Sequence, residues 1–318
     1  MRLFKQILIL LIAVLMIFVY NFAIYSVITV KCGSNFNDPS TQNTMIEPEK
    51  YLPFDPDSEI VKIDSSFKLT ENLPVLDGAT ALLPVYSAFA NAVYPSDSVE
   101  FDGESYTPNS ALQYRNTAGA YKAVVDGDAD IILCAAPSEQ QKQYAEENGV
   151  ELVLVPIGYE AFVFFVNKNN PVDELPVEQI KSIYSGECTN WKDVGGDNRI
   201  INPIDRPEGS GSQTRMLKFM DGQEIKKSPL AFLGASIGFS FRYYVEGIVG
   251  NQDIKLISVN GVYPSKENIT NGEYPLVNNF YAVYRADNKN ENVQKMIEWM
   301  LSEEGQRIVN ESGYVGIE

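Results

Sequence analysis

Two kinds of hydrophobic pattern divide the chain. From Ile7 to Val30 nearly every position is apolar, interrupted only by mild polar residues such as Asn21, Ser26 and Thr29. At about 1.5 Å per residue a helix of that length covers the ~30 Å of a bilayer core, whereas a secretory leader needs only ~7–15 apolar residues. Residues 1–31 are therefore expected to form a membrane anchor or signal segment. Arg2 and Lys5 precede the run, Lys31 closes it and the next charge is Asp38, a bias that favours an interior amino terminus with the rest of the chain outside. Cys32 raises the alternative of a lipoprotein, but Thr29-Val30-Lys31 puts a long cation where that cleavage site wants a small residue, so an uncleaved single-pass anchor is preferred. Residues 32–69 are polar, carry Pro39, Pro48, Pro53 and Pro56 and hold no sustained period, which predicts a tether.

From Thr70 onward short apolar runs alternate with helical patterns. Helices are predicted over Leu82–Val93, closed by Pro95, and over Ala118–Val125, Glu139–Glu147, Val177–Tyr184 and Thr214–Met220, with a last amphipathic stretch at Val293–Val309. Strands are predicted at Ile131–Cys134, Glu151–Pro156, Ala161–Asn167, Ile200–Ile204, Ile254–Val259 and Phe280–Arg285. No fixed-period repeat appears, which disfavours solenoids and propellers. This alternation predicts an α/β chain of two lobes joined by a hinge, with the apolar strands near Phe164 and Tyr281 pairing as crossovers. Lobe one is expected over 70–158 plus 284–318 and lobe two over 159–283, with ligand in the cleft between them.

Composition narrows the chemistry. With 318 residues the chain can build one large or two modest domains, and 45 % hydrophobic with 21 % charged residues is ordinary globular usage. There is no histidine, which removes Ser-His-Asp and Cys-His nucleophiles, histidine general bases and nearly all mixed-ligand zinc sites. No metal site or cofactor is expected, and no enzyme activity. Forty-two acidic residues against 25 basic ones give a net charge of −17, which repels phosphate backbones and argues against nucleic acid as a partner. Cys32, Cys134 and Cys188 are too few and too scattered for a disulfide framework.

An anion must then be held by local groups. The densest local signal is Asp205-Arg206-Pro207-Glu208-Gly209-Ser210-Gly211-Ser212-Gln213-Thr214, which follows a strand and opens a helix. Glycines let backbone approach a ligand, amides at a helix start point outward, serine hydroxyls add donors, and the Arg206 fork suits two oxygens of a tetrahedral oxyanion. Glu208 is placed to orient that fork. The same string also suits a capped Ser/Gly surface turn. Asp77-Gly78-Ala79-Thr80 and Asn116-Thr117-Ala118-Gly119 repeat the logic, with Thr80 as the expected N-cap of the first helix; each alone is a routine cap. Three helix starts aimed at one point would bind an oxyanion without a metal.

Taken in order, these motifs resemble the phosphate-binding component of ABC phosphate importers. The resemblance is carried by Gly78-Ala79-Thr80, Thr117-Ala118-Gly119, Ile183-Tyr184-Ser185-Gly186 with Thr189-Asn190-Trp191, and Arg206-Pro207-Glu208-Gly209-Ser210-Gly211-Ser212. Ser258-Val259-Asn260-Gly261-Val262, Ser302-Glu303-Glu304-Gly305-Gln306 and Gly313-Tyr314-Val315 extend it, from about Val75 to Val315. It implies a type II periplasmic-binding fold closing like a hinged clamp, here a divergent member preceded by one transmembrane helix. The anion-holding residues it implies are Thr80 with Ala81 beside it, Thr117, Arg206, Ser210, Gly211 and Ser212, the last in place of the usual threonine. One position departs. Where the family carries an Asp that accepts the proton of hydrogen phosphate and repels sulfate, Cys134-Ala135-Ala136 places Ala135, which weakens discrimination against an aprotic anion.

The function so implied is capture of inorganic phosphate, or a related small oxyanion, by a monomer outside the cell for an ABC permease in the membrane. A membrane-anchored sensor using the same clamp without transport is the alternative, while a phosphate-ester hydrolase is disfavoured by the lack of histidine and of a clustered carboxylate metal site. Of the remaining residues, Cys134 is expected to be a buried small hydrophobe and Trp191 to pack within a lobe. Arg242, beside Phe241, Tyr243 and Tyr244, either reaches the cleft as a second cation or stays in a surface ion pair.

Overall fold

The computed structural model describes residues 46–317 and, before them, 15–17 and 19. The expected anchor and Cys32 thus lie outside the described residues, apart from Leu15, Met16, Ile17 and Val19, which are helical and exposed. Among the described residues no helix is long and apolar enough to cross a membrane.

The two-lobed α/β architecture is present, and its centre is one long strand. β1 (Leu76–Gly78) runs parallel to β2 (Ile131–Ala135), and β2 pairs antiparallel with β9 (Val277–Arg285). β3 (Leu152–Asn167) pairs antiparallel with β9 over Leu152–Ala161, then with β6 (Ala235–Phe241) over Phe162–Val166. β5 (Ile201–Pro203) runs parallel to β6, and β7 (Ile254–Leu256) joins the end of β3, while β4 (Glu174–Leu175) pairs parallel with β8 (Ser258–Val259) and β10 (Val315–Gly316) pairs antiparallel with β3. The two segments expected as separate strands are thus one. Pro156 and Gly158 interrupt the apolar pattern without ending the strand, because the register merely shifts between them.

Two separate apolar cores follow from this path. One gathers Leu76, Phe89, Ile132, Ile157, Phe280 and Met300; the other gathers Phe162, Phe164, Tyr184, Trp191, Phe219 and Phe239. β3 and β9 are shared by both, so the chain crosses from one core to the other within a paired ribbon. The amphipathic stretch near the carboxy terminus is two helices, Asn292–Met300 and Glu303–Glu311, because the Ser302 side chain caps the second one.

The described part of the expected tether is not free. Ile46, Tyr51, Ile60 and Leu69 are buried against the first core, the Phe54 amide donates to Asn91 Oδ1 at 2.8 Å, and Ser65 Oγ donates to Glu304 Oε2 at 2.6 Å. These apolar anchors are spaced five to nine residues apart, which gives no period to read, yet each removes a large side chain from water.

Candidate functional site

The first helix start follows β1. The chain leaves Gly78 through Ala79 into a short 3-10 turn, Thr80–Leu82, and then α1 (Leu83–Val93), with Pro84 in its first turn where no amide is needed. A Cβ on Gly78 would stand 2.6 Å from the Leu133 carbonyl oxygen and 2.8 Å from the Tyr86 ring, so only glycine lets β1 lie this close to β2. The Thr80 hydroxyl does not cap, contrary to expectation; it lies 3.0 Å from the Tyr114 hydroxyl, which brings the two segments together. The Ala81 carbonyl accepts from the Tyr314 hydroxyl.

The second start opens α2 (Asn116–Asp126). Asn116 has φ +57°, and its Oδ1 accepts from the amides of Ala118 and Gly119 at 3.0 and 3.3 Å. This leaves Thr117, almost wholly buried, with its hydroxyl facing the other lobe: a Cβ on Gly211 would be 3.5 Å from Thr117 Oγ1.

The third start follows β5. Gly209 takes φ +76° to turn the chain, and Ser210 caps α5 (Gly211–Met220), whose predecessors are α3 (Glu139–Glu147) and α4 (Val177–Tyr184). Ser210 Oγ accepts from the Gln213 amide at 3.2 Å, which leaves its own proton free to donate. The Gly211 and Ser212 amides occupy the first helical positions, where no intrahelical acceptor exists. The Arg206 amide donates to Gln213 Oε1 at 3.0 Å and its guanidinium lies 5.6 Å from the centre of the Tyr244 ring.

All seven expected residues, Thr80, Ala81, Thr117, Arg206, Ser210, Gly211 and Ser212, line one cavity of about 1380 Å³ between the lobes. Two helix starts come from the first lobe and one from the second. A cation the sequence reading missed lies there too. Arg115 lines the same cavity and pairs with Asp77, whose carboxylate is fully buried. Burial pushes the Asp77 carboxyl up, while the Arg115 side chain and the Gly78 amide act against that rise. The pair joins residues 38 apart in sequence, so no local pattern reveals it. Ile46, Glu47, Pro48 and Glu49 also line the cavity, a contribution hidden by the irregular spacing of residues 46–69.

Arg242 is not a second cavity cation: its side chain donates to Glu246 Oε2 at 2.9 Å and to the Gly313 carbonyl at 2.6 Å. Glu208 reaches across the cleft, where Oε1 accepts from Gln140 Nε2 at 2.6 Å; beside it Gln141 Nε2 donates to the Gly209 carbonyl at 3.1 Å. Ala135 ends β2 and lines a neighbouring cavity rather than this one, but it lies 3.6 Å from a Cβ position on Gly211, so its methyl group borders the third helix start from the other side. Cys134 is fully buried and its thiol is pushed well up by burial. Trp191 is buried in the second core, its indole N–H donating to the Ala235 carbonyl at 2.9 Å.

Comparison with known proteins agrees with the resemblance read from the motifs. Residues 74–304 match the family model of a PBP superfamily domain. The phosphate-binding protein PstS of Bacillus subtilis is 27 % identical over 259 residues, covering 76 % of this chain and 80 % of that protein. PstS of Borreliella burgdorferi is 28 % identical over 198 residues, covering 55 % of this chain and 69 % of that protein. Among solved structures, a protein from Clostridium perfringens described as a phosphate ABC transporter substrate-binding protein with bound phosphate superposes with a TM-score of 0.59. It is 25 % identical and covers 79 % of this chain and 100 % of that one. An ABC-type phosphate transport receptor from Vibrio cholerae, 20 % identical with a TM-score of 0.53 over 79 % of this chain and all of that one, shares the fold.

Proposed function

The chain belongs to the PBP superfamily, and from that membership we propose that it is an extracytoplasmic solute-binding protein that captures inorganic phosphate, or a similar small oxyanion, between its lobes for an ABC importer. It acts without chemistry on the ligand, and its amino-terminal segment holds it at the membrane. The observation that carries this reading is the meeting of Thr80, Thr117, Arg206 and the Ser210-Gly211-Ser212 turn around one cavity.

An anion leaving water needs most of its oxygens satisfied. Here the donors are fixed before it arrives: hydroxyls of Thr80, Thr117, Ser210 and Ser212, amides at the start of α5, and the forked guanidinium of Arg206. The partial positive end of α5 adds about half a charge. Donors on both lobes make the bound anion a bridge, so the ligand favours the closed arrangement in proportion to its extra contacts there. The Gln140–Glu208 and Gln141–Gly209 bonds already join the lobes beside this site, and they give closure its own contacts.

The test is a thermal-melting titration of the full chain in detergent with phosphate and, in parallel, sulfate. Phosphate at 100 times its Kd adds about 2.7 kcal/mol and raises the midpoint. No shift with either ion, or an equal shift in Arg206→Ala, rejects the reading.

A further inference from the structure

On the far side of Gly211 and Phe241, which border both spaces, lies a second interlobe cavity of about 1150 Å³. Its walls come from α5, from the end of β2 with α3 and the segment after it, and from the shared β3–β9 ribbon. Arg215, one helical turn beyond Gly211, lines it. Arg215 Nε is buried with no hydrogen-bond partner in the protein, and among the described residues Arg215 forms no salt bridge. Its guanidinium carbon lies 5.9 Å from the centre of the Phe162 ring. Desolvation alone lowers its pKa, with no opposing anion.

A half-buried guanidinium without an anion is disfavoured, and a chain with 42 carboxylates had many ways to supply one. Four acids border the space and none of them pairs with Arg215: Glu208 accepts from Gln140 and Glu139 pairs with Lys142, while Glu146 and Glu151 lie at the α3 end of the rim, across which Lys142 and Lys218 add positive charge. Nearer the arginine's own helix and the ribbon, neutral polar groups line the same space, Asn279 and Tyr281 on β9 and Thr214 on α5, while Leu152, Leu154 and Phe241 make its walls apolar. A planar forked cation, neutral donors and carbon walls together fit a planar carboxylate carried on an apolar body. The first cavity is different in kind, built from helix-start amides and hydroxyls. We propose that the second cavity is a separate site for a small organic carboxylate, its charged end on Arg215 and its apolar part against Leu152, Leu154 and Phe241.

Because α5 lines both cavities, occupancy of either bears on the same helix. The site does not depend on which anion the first cavity takes. The test uses 4-fluorobenzoate as probe, followed by fluorine NMR line broadening with the full chain in detergent, in saturating phosphate. Binding is expected in the wild type and in Arg206→Ala, and at least tenfold weaker in Arg215→Met. Absence of broadening, equal broadening with Arg215→Met, or displacement of the probe by phosphate overturns the proposal, the last because it would place the probe in the first cavity. A second measurement separates ligand binding from a structural role: without added anions Arg215→Met should melt no lower than wild type, and a fall of several degrees would show that the arginine serves the fold instead. Failure here leaves phosphate capture standing, and loss of phosphate binding in Arg206→Ala with probe binding kept leaves this site standing.

Discussion

The Asp77 carboxylate holds Arg115 at two points: Oδ2 accepts from Nη1 at 2.7 Å, and Oδ1 accepts from the Arg115 backbone amide at 3.0 Å. Asp77 lies three residues before Thr80, and Arg115 two before Thr117. One buried ion pair therefore sets the spacing of two of the three helix starts. Removing a partner from such a pair costs about 3–5 kcal/mol, and the partly exposed Arg115 side chain puts this case at the lower end. Asp77→Asn should lower stability by about 3 kcal/mol in a denaturant titration and weaken anion binding although Asp77 does not line the cavity. Stability lost with affinity unchanged would show that the pair serves the core alone.

Arg206 is the donor whose loss should be felt most. Hydrogen bonds to a charged group contribute about 1.5–3 kcal/mol each, and a fork makes two. Arg206→Ala should weaken phosphate by at least a hundredfold in calorimetric titration, and Arg206→Lys should recover only part, since an ammonium keeps the charge and loses the planar fork. Full recovery with lysine would mean that charge alone matters.

The legible part of the site was the local part. Thr80, Thr117 and the Arg206–Ser212 string announce themselves through capping residues, glycines and a following apolar period, all within a few positions. The Asp77–Arg115 pair was illegible because its partners meet only where Leu76 bridges to Leu112 and the chain then turns into α2. Strand β6 was missed because Ser236, Gly238 and Ser240 break its apolar run; a Cβ on Gly238 would lie 2.5 Å from the Phe165 ring, so the residue that hides the strand from sequence is what lets it pack. Residues 46–69 read as a tether because aperiodic anchors such as Tyr51 and Ile60 acquire meaning only when the first core exists to receive them.

That packing can be tested at Glu304. Its carboxylate accepts from Ser65 Oγ, from the Ser66 amide and hydroxyl and from Trp299 Nε1, and these donors hold it down at about 2. Glu304→Ala should release the segment around Ser65, seen as faster proteolysis between residues 55 and 68 with the remaining core intact. Unchanged cleavage would show that Tyr51 and Ile60 hold the strap unaided.

Ala135 gives a selectivity prediction. It borders Gly211 with a methyl group, so this side chain neither accepts a ligand proton nor repels an ion without one. Ala135→Asp should place a carboxylate beside the anion, which rewards hydrogen phosphate with a hydrogen bond and penalises sulfate by like charge. The phosphate-to-sulfate affinity ratio should rise by tenfold or more, mainly through weaker sulfate binding. A ratio that does not move would remove Ala135 from the site.

The pH dependence of stability should carry the mark of Glu160, on β3 where the chain passes between the cores. Its carboxyl is buried, and burial raises it from 4.5 to about 7 against the pull of Arg242, whose Nε is 3.9 Å away, and of the Ala161 and Tyr243 amides; Glu246 adds to the rise. The folded chain then holds a proton that the unfolded chain gives up near 4.5. Between these values the native state binds more protons, so stability falls as pH rises, by about 1.4 kcal/mol per unit. The full contribution is present below about 4.5 and is gone above about 7, a span on the order of 3 kcal/mol. Melting midpoints from pH 4.5 to 7.5 should decline more steeply in wild type than in Glu160→Gln, which keeps the neutral shape at every pH. Parallel profiles would mean that Arg242 pairs closely enough in solution to keep Glu160 ionised throughout, and the β3 crossing would then carry a fixed charge pair where a neutral carboxyl is expected.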